Sequence, residues 1–201
     1  MTSVRTEQKQ ETRRRIFDTA LELFRTQGVA KTSVDQIVRT AGVSKGTFFV
    51  HFSTKSAIFG AYVDLLTESL MPLLPQWLTL PPLLGIYHAF DALTENAERD
   101  RILVPDVIYA ELFGDPWDDG KPTALQQLFL PLVQQAQSCS VIRTDLDPVQ
   151  VIEHLLSAYL IALAWAVRRG ERLNTALNLP VQLALDGLRP RPGSTPQEEN
   201  Q

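Results

Sequence analysis

A chain of 201 residues, 44% hydrophobic and 21% charged, is long enough to bury one large or two small apolar cores, and its ordinary globular usage excludes a disordered or collagen-like polymer. A single cysteine, Cys139, excludes an internal disulfide framework and any multi-cysteine zinc site. The formal net charge of −4 conceals a split: residues 1–60 carry 10 Lys/Arg against 5 Asp/Glu, and the remainder carries 9 against 18. A basic front and an acidic rear point to a polyanionic partner for the front.

Helical periodicity runs through the chain. Ile16, Ala20, Leu23 and Phe24 form the stripe of an amphipathic helix over about 12–27, ended by Gly28 as the left-handed residue. A second helix opens at Thr32 or Ser33, where Ser33 with Gln36 reads as a capping box, and stops at Ala41-Gly42-Val43. Ser44 caps a short third helix reaching about His51. Ser53 or Thr54 caps a fourth carrying Ala57, Ile58, Ala61, Leu65 and Leu66.

Pro72, Pro75, Pro81 and Pro82 then make 71–82 a linker or broken helix. Further helices are predicted near 83–99, 105–113, 122–139, 148–169 and 179–188. Pro105 and Pro148 stand in first turns, the latter capped by Asp147, and Pro131 should kink its helix and free the Gln127 carbonyl. No alternating run argues for a sheet. The fold class is therefore all-α, with a disordered tail expected over 190–201.

No secretion signal is read in the polar, basic residues 1–15. The longest apolar run, Leu155–Val167, has 13 residues against the ~18 of a membrane span. A soluble, cytoplasmic protein with no membrane partner is the expectation.

Two short helices separated by three residues with a central Gly42 form a helix-turn-helix over 33–52, with Ile37, Val38, Val43, Phe48 and Phe52 as its small core. Lys45 falls in the first turn of the third helix and Lys55 in that of the fourth, where cations oppose the helix dipole. Phosphates docked at both ends would remove that conflict. Thr47, Phe49 and His51 would then reach from the third helix into a major groove.

Enzyme chemistry finds little in the sequence. His88 and Asp91 share a helix face and Glu153 adjoins His154, but no third ligand or nucleophile is placed near either, so no catalytic residue, metal or cofactor is expected. The string Gly42–Thr47 is not a phosphate loop, because Lys45 precedes Gly46 and no strand leads in.

Arg13-Arg14-Arg15-Ile16-Phe17-Asp18-Thr19-Ala20-Leu21-Glu22-Leu23-Phe24, the Thr32–Phe52 segment, and Lys55 with Ala57, Ile58 and Phe59 together resemble the TetR family of bacterial transcription regulators. The resemblance is strong over about 10–60. The rear resembles the family in outline, with Ile142–Pro148 looking like the lead-in to its dimerisation helices. The resemblance implies phosphate contacts from Thr32 or Ser33, Ser44 and Lys55, and base or sugar contacts from Lys45, Gly46, Thr47, Phe49 and His51. Phe49 stands where the family usually has Tyr, so the contact there must be apolar.

The implied architecture is a DNA-binding domain over 9–69 and a ligand-binding and dimerisation domain over 70–189. The run Leu155–Val167 is apolar almost all round and needs cover on every side. A symmetry mate would supply it through Leu156, Leu160, Leu163 and Val167, joined by Leu185 and Leu188 of the last helix in a two-fold four-helix bundle. Trp77, His88, Tyr109, Phe113, Trp117, Phe129 and Tyr159 are candidates to line an effector pocket. The reading is a ligand-responsive regulator, a repressor, whose partners are a palindromic double-stranded DNA operator, a second copy of the chain and a small, largely apolar effector. A helical enzyme or a protein-binding adaptor are the alternatives that a DNA-binding assay separates from it.

Overall fold

The computed structural model describes residues 3–113 and 123–190. Trp117 and the tail from 191 onward lie outside the described residues, as does the Phe113 side chain. Eleven α-helices are found among them: α1 (Ser3–Gln27), α2 (Val34–Ala41), α3 (Lys45–His51), α4 (Ala57–Leu70), α5 (Leu74–Trp77), α6 (Pro82–Arg99), α7 (Val104–Phe113), α8 (Ala124–Ser138), α9 (Pro148–Arg169), α10 (Leu173–Ala176) and α11 (Asn178–Asp186), with a 3-10 turn at Met71–Leu73. The predicted linker is thus a broken helix, with prolines at the first turns of its short pieces. α8 continues through Pro131 as one element.

The chain forms two compact units. Residues up to Leu65 and the segment beginning at Arg99 make the first; Leu66–Glu98 and the residues after 122 make the second. The sequence reading drew one boundary at 69/70, whereas the contact pattern places the α7 segment with the front of the chain.

In the first unit, α1 packs on α2 and α3. Ile16, Phe24, Ile37, Phe48, Ile58 and Phe59 are fully or almost fully buried. Phe24 stacks on Phe59 at 5.3 Å between ring centroids, and Phe48 lies 5.9 Å from Phe52. Leu103, just before α7, is buried in the same core although it comes more than 40 residues after Phe59. Val43, expected among the residues of this core, is only partly buried and packs against it.

In the second unit, α9 packs against α8, α10 and α11. Its core centres on Phe90 of α6, which lies 4.7 Å from Phe129 of α8 and 5.1 Å from Tyr159 of α9. Gly85 is fixed by close packing: a Cβ there would stand 2.7 Å from the Trp77 carbonyl oxygen and 3.3 Å from Leu132 Cδ2. Thr123 closes a full capping box with Gln126 at the start of α8.

Two helical stretches, Ala57–Trp77 and Pro148–Arg169, are long and apolar enough to cross a membrane by length and composition alone. In α9 only 33% of the most apolar window is buried within the chain, so much of its surface lacks intramolecular cover.

Candidate nucleic-acid interface

The helix-turn-helix is built by caps that are local in sequence. Ser33 is extended, and its hydroxyl accepts from the Gln36 N–H at 3.1 Å to start α2. The reciprocal half of the predicted capping box is not made, because the Gln36 side chain turns instead to Gln27 at 2.9 and 3.2 Å. Gly42 ends α2 at φ 66°, with its N–H on the Arg39 carbonyl and the Val43 N–H on the Val38 carbonyl, the paired bonds of a Schellman turn. Ser44 is extended again and accepts from the Thr47 N–H at 3.0 Å, so three residues separate α2 from α3.

α3 is held from behind by Phe48, which is fully buried, and its other face is open. Ser44, Lys45, Gly46, Phe49 and Val50 are exposed, and Thr47 and His51 are half-buried. Phe49 is 50% and Val50 69% exposed, an unusual place for two large apolar side chains on one seven-residue helix. A Cβ at Gly46 would meet only Ser44 Oγ, at an ordinary 3.7 Å, so nothing within the chain requires glycine there. Val50 was not singled out from the sequence; its position between two candidates, Phe49 and His51, was the available signal.

Three expectations need correction. Thr32 is buried, its hydroxyl donating to the Gly28 carbonyl at 2.9 Å and accepting from Gln27 Nε2 at 3.0 Å, so of the pair Thr32 and Ser33 only Ser33 faces solvent. Thr54 Oγ1 accepts from the Ala57 N–H as the cap of α4, so Lys55, the residue after the cap, stands at the helix start as expected, but its side chain is already engaged. The Lys55 ammonium donates to the carbonyls of Val29 and Thr32 at 2.7 and 2.9 Å, tying the loop before α2 to the turn before α4. Lys45 lies in the first turn of α3 as expected but pairs with Asp35 Oδ1 at 2.9 Å. The clash of these two lysines with helix dipoles is thus answered inside the molecule, and it no longer argues for phosphate by itself.

His51 closes α3 with its pKa pushed below the usual imidazole value, first by burial and then by the charges of Lys9 and Arg13. The Arg13 guanidinium lies 5.0 Å from the centroid of the Phe52 ring. Arg14 points elsewhere and pairs loosely with Asp18 at 3.7 Å.

The candidate effector residues separate. Trp77, Phe129 and Tyr159 are buried in the second unit, where the Tyr159 hydroxyl meets Thr94 Oγ1 at 3.3 Å and burial pushes its pKa up. His88 is exposed, and Tyr109, 64% exposed, belongs to the first unit. Phe90, missed in the sequence, is the ring that joins Phe129 to Tyr159.

The candidate dimer residues also need correction. Leu163, Leu185 and Leu188 are buried within their own chain, and Leu156, Leu160 and Val167 are half-buried. The open apolar positions are Ile161 and Trp165 on α9 and Leu179 and Leu183 on α11, each at least 52% exposed and each pair spaced i, i+4. Among the described residues no group of three or more His, Cys, Asp or Glu side chains is placed to hold a metal.

The profile of bacterial regulatory proteins of the tetR family matches residues 16–62, the stretch from the core of α1 through α3 into α4. Over residues 16–62 the chain is thus similar to the tetR family of bacterial regulators. It is 44% identical over 59 residues to the HTH-type transcriptional regulator AcrR of Shigella flexneri, covering 29% of this chain and 27% of that protein. It is 40% identical over 84 residues to the HTH-type transcriptional regulator SrpR of Pseudomonas putida, covering 42% and 37%. The matched region thus spans well under half the length of these curated relatives. Along nearly the whole chain it resembles the crystal structure of Thermus thermophilus FadR, a TetR-family transcriptional repressor in complex with lauroyl-CoA, with a TM-score of 0.73, 28% identity, and 92% and 98% of the two chains covered.

Proposed function

We propose that this chain is a homodimeric transcriptional regulator of the TetR family, a repressor, that binds a palindromic operator in double-stranded DNA and leaves it when a small, largely apolar effector occupies the second unit. The carrying observation is the outward face of α3, where Phe49 and Val50 stand exposed beside a glycine that no packing requires. Exposed apolar side chains next to open backbone suit the methyl groups and sugars of a major groove, with Thr47 to bond a base edge and Ser33, Ser44 and Lys45 at the phosphates.

Exposed apolar positions support the dimer. Ile161 and Trp165 on α9, with Leu179 and Leu183 on α11, are exposed apolar positions on two helices that pack side by side, and a second copy would bury them. A dimer places two α3 helices for two half-sites about one DNA turn or more apart. The Thermus repressor's complex with lauroyl-CoA makes a ligand with an apolar acyl chain the first to test. Such a ligand lowers operator affinity by its preference for the non-binding conformation, typically ~1–3 kcal/mol.

A gel-shift titration against the duplex flanking the protein's own gene, at two salt concentrations and with and without a panel of lipophilic compounds, lauric acid among them, and separately lauroyl-CoA, tests the proposal. Salt-sensitive binding that an apolar compound releases is the expected result. Absence of duplex binding at low salt would remove the proposal and leave the enzyme and adaptor readings.

A further inference from the structure

We propose that Lys9 and Arg13 of α1, with His51 at the end of α3, form one phosphate-binding site that grips the duplex backbone beside the groove read by α3. The site rests on the DNA reading above and adds to it a part of the molecule that reading does not use. α1 is 25 residues long, yet from Thr6 onward its first buried side chain is Ile16. From Thr6 to Arg15 no side chain is buried and only Thr12 is half-buried, about 15 Å of helix that contributes nothing to the core.

The projecting turns are not uniform around the axis. Lys9 and Arg13 fall at i and i+4 and continue the stripe of Ile16 and Ala20, which faces the core, whereas Glu7 and Glu11 lie about half a turn away. The stripe therefore carries cations on toward α3. Arg13 is seated there by its contact with Phe52, the residue that follows α3, and Lys9 and Arg13 are the charges that act on His51. Among the described residues neither Lys9 nor Arg13 pairs with a carboxylate, in contrast to Arg14, Arg25 and Lys45. Two cations gathered around a third, titratable group repel one another, and a seven-residue helix end is a weak counter-charge. An anion in their midst removes the repulsion, and a DNA phosphate next to an exposed α3 is the anion this surface fits.

The test uses full-length protein and a duplex that the wild type selects from a random-sequence library, with affinity measured across a KCl series. Lys9→Gln removes one phosphate contact per protomer, so the log–log salt slope of the dimer should fall in magnitude by about 1.8 and affinity should drop several-fold. Lys9 is exposed, so its melting temperature should be unchanged; Arg13→Gln should repeat the slope change and Lys9→Gln/Arg13→Gln should double it. Phosphate favours the charged imidazole, so wild-type affinity should rise as pH falls from 7.5 to 5.5, and His51→Gln should flatten that rise. A Lys9→Gln protein with the wild-type slope, or a His51→Gln protein with the wild-type pH dependence, would overturn the site while leaving DNA binding intact. A wild type that selects no duplex would overturn the DNA reading and this site with it.

Discussion

Arg25 and Asp100 are joined by a two-pronged ion pair, Nε to Oδ1 at 2.8 Å and Nη2 to Oδ2 at 2.7 Å, that ties the last turns of α1 to the residue following α6. The Tyr62 hydroxyl of α4 donates to the same carboxylate at 2.9 Å. The Arg25 hydrogen bond holds the Asp100 pKa below the usual carboxylate value, and that of Tyr62 adds to it. A carboxylate depressed in the folded state contributes stability that is full above its unfolded pKa and is lost as pH falls through the folded value. Asp100→Asn should therefore destabilise the protein at pH 7 by about 1 kcal/mol, roughly 2–4 °C in melting temperature, since the pair is partly exposed. The gap from wild type should shrink as pH is lowered below about 4. A gap that persists unchanged at pH 3 would mean the effect is not electrostatic.

Gly85→Ala tests a close approach between backbones in the second unit. Its Cβ would fall 2.7 Å from a backbone oxygen, which cannot swing aside as a side chain can. Overpacking of this kind costs roughly 1–3 kcal/mol, set against the gain in helix propensity. Urea unfolding should show a lower midpoint with an unchanged slope; a midpoint at or above wild type would show that the Trp77 turn yields readily.

Gly46→Ala should move stability and binding in opposite directions. The position has open space and lies in a helix, so alanine should raise stability by up to about 1 kcal/mol. The added methyl projects from the face assigned to DNA and should weaken operator affinity at least tenfold. Unchanged affinity in a stabilised variant would place the duplex elsewhere.

Ile161→Asp and Leu163→Asp separate interface from core. Ile161 is 53% exposed and Leu163 4%. The first substitution should yield folded monomers by sedimentation with wild-type helicity; the second should unfold the chain. A stable Ile161→Asp dimer would move the interface off the α9 face.

Features decided within a few residues were legible in the sequence: Ser33 and Ser44 as caps, Gly42 as the left-handed residue, Asp147 before Pro148. Their physics is local, so composition suffices. The face of α9 that would meet a partner was not legible, because an apolar run surrounding a helix gives no phase, and only the packed α8, α10 and α11 show Leu163 turned inward and Ile161 outward. Lys55 was misread for the same reason: the carbonyls of Val29 and Thr32 lie more than 20 residues back and are brought to it only by the fold. Leu103 joins the first core from a distance that no periodicity reveals.

The salt dependence of binding by the wild-type protein to its own flanking duplex bears most directly on the reading of α3 as a DNA-facing helix. If a dimer neutralises about six phosphates, log affinity against log salt should be linear with a slope near −5. A flat response, or no complex at low ionic strength, would contradict it.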